Sequence, residues 1–405
     1  MRTIIRNGNL LDTTTMSFVG ERTIVIEDEL VVSVGEDPGK DADIELNAAG
    51  KFVLPGFIDA HVHFRLATMD FRRLAQWSEV EFGIAMARLA RQTLERGFTT
   101  VRDLGGEVRG LMGAIKSGAA EGPRIFHAGR MLTQTGGHGD AEGGDRPVPD
   151  CACQMPHTAF SIIADGADAV RKAARHNLRD GSDFLKIHVS GGVASPSDPL
   201  DSVQYTVEEV RAATQEADNR NTYVAAHAYT PESIRLAVEN GVKTIEHGNL
   251  LDKDAAKLMA KRDAVLVPTL STYEAMHEVG QKLGLPEANL RKNTVVYEAG
   301  LASLELAKAA RVTMGFGTDL IGETQVRQNR EFAIRAEVES ASDILHSMYY
   351  VNAALCRMEG KAGVLAPGAF GDVVIANVDP LDDIRALAQP ETAIVTVLKG
   401  GMPIN

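Results

Sequence analysis

The chain has 405 residues, of which 44% are hydrophobic and 24% charged, which is typical of a globular protein with a large core. A net charge of −13 and the lack of any lysine- and arginine-rich run argue against nucleic acid or an anionic membrane surface as a partner. The sequence shows neither a secretory signal nor an apolar stretch long enough to cross a bilayer, so we expect a cytoplasmic protein.

The two ends of the chain carry short alternating strand patterns separated by turn signals. Residues 1–53 include "RTIIRNG" and "RTIVIEDELVVSVG", and residues 366–405 include "GDVVIANVD" and "AIVTVLKGGMP". Such alternation is typical of antiparallel strands with one buried face. We therefore expect both ends to pair into one small β-sandwich domain.

Residues 54–365 alternate strand-like and helix-like segments. Eight short apolar runs recur, from "GFIDAHVHF" to "VTMGFGTDL". Helix starts are marked by the capping-box spacing of Thr206 and Glu209 and by Thr230 with Pro231. Eight such repeats predict an α/β fold of the (β/α)8 TIM-barrel class.

A Gly-, Pro- and Asp-rich segment at 130–162 follows the third strand-like run. After a barrel strand, a loop of this length would lie over the mouth of the active site. The segment contains Cys151 and Cys153; together with Cys356 they are too few for a disulfide framework, and no second Cys or His pair has the spacing of a zinc finger. Free thiols are therefore expected.

Metal-ligand residues stand at the ends of several strand-like runs, where barrel enzymes carry their catalytic groups. In "HVH", His61 and His63 are two residues apart, so both side chains share one face of a strand. Lys186 is the centre of the buried-strand pattern "FLKIHV", where an ammonium group is costly unless it is paired, deprotonated or modified. The remaining strand-end residues of this kind are His227, His247 and Asp319. This pattern predicts a metal site.

The sequence resembles the amidohydrolase superfamily. The resemblance rests on "PGFIDAHVHF", the strand-four lysine, "AHAY", "IEHGN", "GTDL" and the closing "GVLAPGAFGDVVIANVDP". The segments "TTVRDLGG", "TGGHGD" and "LKIHVSGGV" are most similar to the prolidase-like, imidazolonepropionase-related dipeptidases and carboxypeptidases, a group that also contains ochratoxin-type amidases.

The resemblance implies a role for the buried lysine. In such relatives this lysine is carboxylated, and Lys186 would be an N6-carboxylysine that bridges two divalent metal ions. By the same resemblance the more buried ion would be held by His61, His63 and Asp319, and the more exposed ion by His227 and His247. Zinc is expected, with manganese, cobalt or iron as alternatives. An ion pair of Lys186 with a carboxylate such as Asp103 is the other interpretation.

Other polar residues have less determined roles. His138 in "GGHGD" is predicted to bind a substrate carboxylate or the oxyanion, and Tyr229 to donate its hydroxyl to the same groups; ordinary solvation or packing is the alternative for each. Arg102 and Asp103 are expected to form a structural ion pair beneath the site. His188 shares the inward face of Lys186 but is not predicted to be a metal ligand.

The resulting hypothesis is a binuclear metal-dependent hydrolase that cleaves the amide bond of dipeptides or N-acyl amino acids with a free C-terminal carboxylate. Asp319 would take a proton from the bridging hydroxide and pass it to the leaving nitrogen. Alternative substrates are cyclic amides and carbamate, urea or ochratoxin-like amides, and a non-catalytic assembly protein is the alternative of another class. The resemblance also implies a homo-oligomer.

Overall fold

The computed structural model of the chain describes residues 1–35, 39, 41–74, 76–140, 160–195 and 198–404. The strands in this part of the chain are β1 (Arg2–Asp12), β2 (Ser17–Glu27), β3 (Leu30–Gly35), β4 (Ile44–Asn47), β5 (Phe52–Pro55), β6 (Phe57–Val62), β7 (Phe98–Asp103), β8 (Arg124–His127), β9 (Met131–Thr133), β10 (Ser161–Ile163), β11 (Leu185–His188), β12 (Val224–Ala228), β13 (Thr244–His247), β14 (Val265–Val267), β15 (Thr313–Met314), β16 (Val373–Ala376), β17 (Ile394–Lys399) and β18 (Met402–Pro403).

The α-helices in the same ranges are α1 (Phe71–Leu74), α2 (Glu79–Glu95), α3 (Arg109–Lys116), α4 (Ala167–Arg179), α5 (Val207–Asn219), α6 (Pro231–Glu239), α7 (Lys253–Lys261), α8 (Leu270–Val279), α9 (Glu287–Ala310), α10 (Arg330–Arg335), α11 (Ala341–His346), α12 (Asn352–Leu355) and α13 (Pro390–Ala393). None of these helices is long and apolar enough to cross a membrane. The capping box of Thr206 and Glu209 begins α5, and Thr230 caps α6 with Pro231 in its first turn, which confirms both predicted helix starts.

The two chain ends form one hydrogen-bonded sheet. Its order is β18-β17-β16-β5-β1-β2-β3, with β4 also paired to β1. The antiparallel ladder between β5 and β16 joins the N-terminal part to the C-terminal part. The strands of the predicted β-sandwich pair along one continuous path, and side chains from β1, β2, β3, β5, β16 and β17 pack into one core cluster.

The middle of the chain is α/β and its strands are parallel. They form a three-stranded sheet, β6-β7-β8, and a seven-stranded sheet, β10-β9-β11-β12-β13-β14-β15. Each of the eight predicted apolar runs contains one of these strands. Backbone hydrogen bonds also join the two sheets at both sides, from Asp183 N to His127 O and from Ala60 N to Phe316 O, each at 2.8 Å.

The predicted loop at 130–162 has more structure at its two ends than expected. Residues 131–133 and 161–163 pair in parallel as β9 and β10, and Leu132 of β9 pairs with Ile187 of β11. Three-residue strands are too short to show an alternating pattern, which explains why the sequence did not indicate them. Residues 141–159, including Cys151 and Cys153, lie outside the described part of the chain.

Candidate metal centre

Parallel strands bring most of the predicted ligands to one edge of the sheets. His61 is in β6 and His63 follows the strand by one residue. In the neighbouring ladders, His188 pairs with His227, and Ala228 pairs with His247. Adjacent parallel strands in register place their carboxyl ends side by side. The histidines from distant parts of the sequence therefore meet at a common point.

Two of these residues have an unusual backbone conformation. His247 has a φ of 77° and Asp319 a φ of 51°, values in the left-handed region that few residues other than glycine adopt. His247 is the last residue of β13, and Asp319 lies in the segment that follows β15. Such local backbone strain is common at functional sites.

His61, His63 and Asp319 form an arrangement that fits a cation. The Nδ1 atoms of the two histidines are occupied: His61 Nδ1 lies 2.9 Å from the Glu246 carboxylate and His63 Nδ1 lies 3.2 Å from the Gly105 carbonyl. Their Nε2 atoms both approach Asp319 Oδ1, at 3.3 and 3.2 Å. If Nδ1 carries the proton in each ring, two Nε2 lone pairs and a carboxylate oxygen converge, which is a donor set that suits a metal ion.

His247 joins the same cluster. Its Nδ1 lies 3.8 Å from Asp319 Oδ2 and 2.7 Å from Thr269 Oγ1, and one ligand atom each from His61, His247 and Asp319 lie within 4.8 Å of one another. Burial lowers the pKa of His247 well below its usual value. Burial alone would raise the pKa of Asp319, but the nearby His61 and His63 hold it well below the usual range. Neutral imidazoles and an ionised carboxylate are suitable ligands for a divalent metal.

His227 lies beside this cluster. Its ring centroid is 4.6 Å from that of His247, and burial lowers its pKa well below the usual value. Its Nε2 lies 3.1 Å from the carbonyl oxygen of Gly191. The structure thus places His227 next to the predicted ligand His247, with one ring nitrogen engaged by the loop that follows β11.

Lys186 is buried among these groups, with 1% of its surface exposed. Burial lowers the pKa of its amine to about 8, and a charge on this amine in turn lowers the pKa values of His227 and His247. The alternative partner, Asp103, accepts hydrogen bonds from the backbone N–H groups of Phe64 and Gly105. A buried amine with a depressed pKa has a larger fraction of the neutral, nucleophilic form that carbon dioxide requires.

The sequence analysis missed Glu246 and assigned Arg102 the wrong partner. Arg102 pairs with Glu246, through Nη2 at 2.7 and 2.9 Å from its two carboxylate oxygens, and not with Asp103. Consecutive residues of a strand point to opposite sides, so Arg102 and Asp103 cannot face each other. Burial alone would raise the pKa of Glu246, but Arg102 and His61 lower it to about 2.

The remaining predicted residues border the cluster on the His227 side. The ring of His138 stacks on that of His227 at 4.4 Å, and His188 contacts both rings at 5.0 and 5.4 Å. Tyr229 lies 4.8 Å from the His227 ring. Its hydroxyl is 2.8 Å from that of Tyr273, a residue of α8 that the sequence analysis did not select. Burial raises the pKa of Tyr229, so its hydroxyl stays protonated and can donate a hydrogen bond.

The residues that the sequence analysis missed differ in how much signal the sequence contained. Glu246 is next to His247 in "IEHGN", so the sequence contained a local signal for it. Thr269 and Tyr273 follow β14, the strand within the seventh predicted apolar run. No ligand was predicted at the end of this run. Only the closeness of β13 and β14 shows that Thr269 contacts His247.

Comparisons with known proteins identify the family. Residues 52–402 match the model of the Amidohydrolase family, and the chain belongs to this family. The predicted superfamily and the predicted class of enzyme, an amide hydrolase, are confirmed. The chain is 28% identical over 397 residues to the ochratoxinase of Aspergillus niger, a match that covers 93% of this chain and 82% of the relative.

Solved structures agree with this assignment. A prolidase in complex with N-methylphosphonate-L-proline is 40% identical with a TM-score of 0.95, and the match covers 100% of this chain and 99% of that chain. A Xaa-Pro dipeptidase with methionine bound in its active site is 30% identical with a TM-score of 0.89, covering 100% and 99%. Both likenesses extend over the end sheet and the parallel strands together.

Proposed function

We propose that the protein is a binuclear metal-dependent hydrolase of dipeptides or N-acyl amino acids with a free C-terminal carboxylate. The observation that carries this proposal is the convergence of His61 and His63 on one oxygen of Asp319, with the buried amine of Lys186 nearby. We also propose that the parallel strands close into the (β/α)8 barrel, since backbone hydrogen bonds join the two sheets at both sides.

The ligand set would hold two divalent ions, with zinc the expected metal. His61, His63 and Asp319 would hold one ion and His227 and His247 the other, with carboxylated Lys186 between them. When bound, such ions lower the pKa of water and polarise a carbonyl group. The Glu246 carboxylate, 2.9 Å from His61 Nδ1, would keep the ring proton on that nitrogen and leave the Nε2 lone pair for the metal.

The protein's own residues would handle the proton and the substrate. The low pKa of Asp319 keeps its carboxylate ionised, so it can accept a proton from the attacking water and deliver it to the leaving nitrogen. His138 and Tyr229 both lie against the ring of His227 and would donate to the carbonyl oxygen or to the terminal carboxylate.

The substrate class follows from the relatives. One is named a prolidase and was solved with a phosphonate of proline, and another is named a Xaa-Pro dipeptidase. Both names imply a small peptide with a free carboxyl end. The ochratoxinase of A. niger makes an ochratoxin-like amide the second candidate substrate. A homo-oligomer and a cytoplasmic location stay predictions.

The test is a hydrolysis screen with metal-quantified protein. Dipeptides, including Xaa-Pro substrates, N-acyl amino acids and ochratoxin A are incubated with protein of known zinc content. We expect turnover of substrates with a free carboxylate and loss of turnover when the C-terminus is amidated. Asp319→Ala should lose turnover, because it removes the proposed proton acceptor. An active Asp319→Ala variant, or equal hydrolysis of amidated peptides, contradicts the proposal.

A further inference from the structure

The loop that follows β11 is held by one ammonium group from α9. Lys292 Nζ donates to the carbonyl oxygens of Gly192 at 3.0 Å and Ser195 at 2.7 Å, and also to the carbonyl oxygen of Asp198. An ammonium group has three protons, and these three bonds use all of them. The position of the loop backbone therefore depends on a side chain from a distant helix.

Asp198 connects this loop to His138. One carboxylate oxygen, Oδ2, accepts the Gly192 N–H at 2.8 Å and the Gln204 amide at 3.3 Å, and lies 3.6 Å from His138 Nδ1. Gln204 also accepts the backbone N–H of His138 at 2.8 Å. Gln204 thus holds the backbone of His138, and the Asp198 carboxylate lies within ion-pair distance of its ring.

Gly192 sets the distance between the loop and the His138 ring. A Cβ atom at position 192 would lie 2.1 Å from His138 Cε1, so only glycine allows the loop backbone to lie this close to the ring. The same ring stacks on His227 at a centroid distance of 4.4 Å. A shift of the loop backbone would therefore change where the imidazole of His138 points.

We propose that Lys292 is a positioning residue for His138, acting through the backbone of the β11 loop and the carboxylate of Asp198. This inference rests on the proposed function, in which His138 acts on the substrate. Without the ammonium group, three carbonyl oxygens lose their donor, and Gly192 and Asp198 no longer hold the ring against His227.

The kinetic test is a double-mutant cycle of Lys292→Met and His138→Ala on the metal-loaded protein. Lys292→Met should lower kcat/KM by at least about 10-fold in the wild-type background and by less than about 2-fold when His138 is already alanine. Metal content should not change. Lys308→Met is the matched control, since Lys308 lies on the same helix and bonds to Val338 and Asp343; its activity should equal the wild type.

A structural test does not need turnover. Amide hydrogen exchange of peptides covering 131–140 and 185–195 should be faster in Lys292→Met than in the wild type, and unchanged in Lys308→Met. Asp198→Asn, which keeps the side-chain shape, is the second variant if Lys292→Met folds poorly, and should show the same non-additivity with His138→Ala.

Additive losses in the cycle, wild-type activity of Lys292→Met, or unchanged exchange in both peptides would each overturn the role of Lys292. If the metal-loaded wild type hydrolyses no substrate of the screen, the proposed function fails instead, and the exchange measurement still decides whether Lys292 holds the loop and His138.

Discussion

The substitution Glu246→Gln tests two roles of Glu246 separately. One role is its effect on metal affinity, and the other is its effect on the free energy of unfolding. Glu246 and Arg102 are both fully buried, and Arg102 also donates to the Ala60 carbonyl at 2.6 Å. Glutamine keeps the volume but leaves the guanidinium as an uncompensated buried charge. Breaking a buried pair in this way costs about 3–5 kcal/mol of unfolding free energy, a large share of the total stability of a typical domain.

The second expected effect concerns the metal. Glu246 Oε2 lies 2.9 Å from Nδ1 of His61, and replacing the carboxylate by a neutral amide weakens the group that orients this proposed ligand, which should lower metal affinity by about 10- to 100-fold. Metal affinity is measured by competition with a chelator, and unfolding free energy by chemical denaturation of the metal-free protein. Arg102→Met combined with Glu246→Gln should recover part of the stability, because the unpaired charge is gone, without recovering the metal affinity.

A second buried pair provides the control. Arg335 and Glu339 are equally buried, with contacts of 2.6 and 2.7 Å, but the third partner of this arginine is the Gly315 carbonyl and not a histidine. Glu339→Gln should therefore destabilise the fold and leave metal affinity unchanged. Wild-type metal affinity in Glu246→Gln, or an equal loss of affinity in Glu339→Gln, would refute the reasoning.

His138→Ala should cost about 2–4 kcal/mol in kcat/KM, the usual contribution of one such donor, with metal content unchanged; loss of one metal equivalent would show that His138 is a ligand. Lys186→Met should lower the metal stoichiometry, and bicarbonate should speed metal reconstitution of the wild type only, as followed by metal analysis. Glu331 is fully buried, which raises its pKa from 4.5 to about 8. Its protonated form contributes full stability below pH 4.5, which is lost as the pH rises to about 8, at about 1.4 kcal/mol per pH unit. Denaturation of Glu331→Gln across this range should lack that slope; an unchanged slope contradicts the assignment.

The sequence by itself indicated the elements and the type of chemistry. The apolar runs indicated eight of the ten strands described in the middle segment, because a buried parallel strand is continuously hydrophobic. The spacing of His61 and His63 put both rings on one face because side chains alternate along a strand. A lysine in the middle of an apolar strand, Lys186, required an unusual chemical explanation.

Only the tertiary structure decided which groups contact one another. Glu246 and His61 are 185 positions apart, and the pairing of Arg102 with Glu246 depends on strands being neighbours in space. His247 and Asp319 adopt left-handed backbone conformations that no hydrophobic pattern reports. Lys292 reaches the β11 loop from α9 across a sequence separation of 100 residues at Gly192. Contacts of this kind form because folding brings remote segments together, so local propensity and periodicity carry no signal for them.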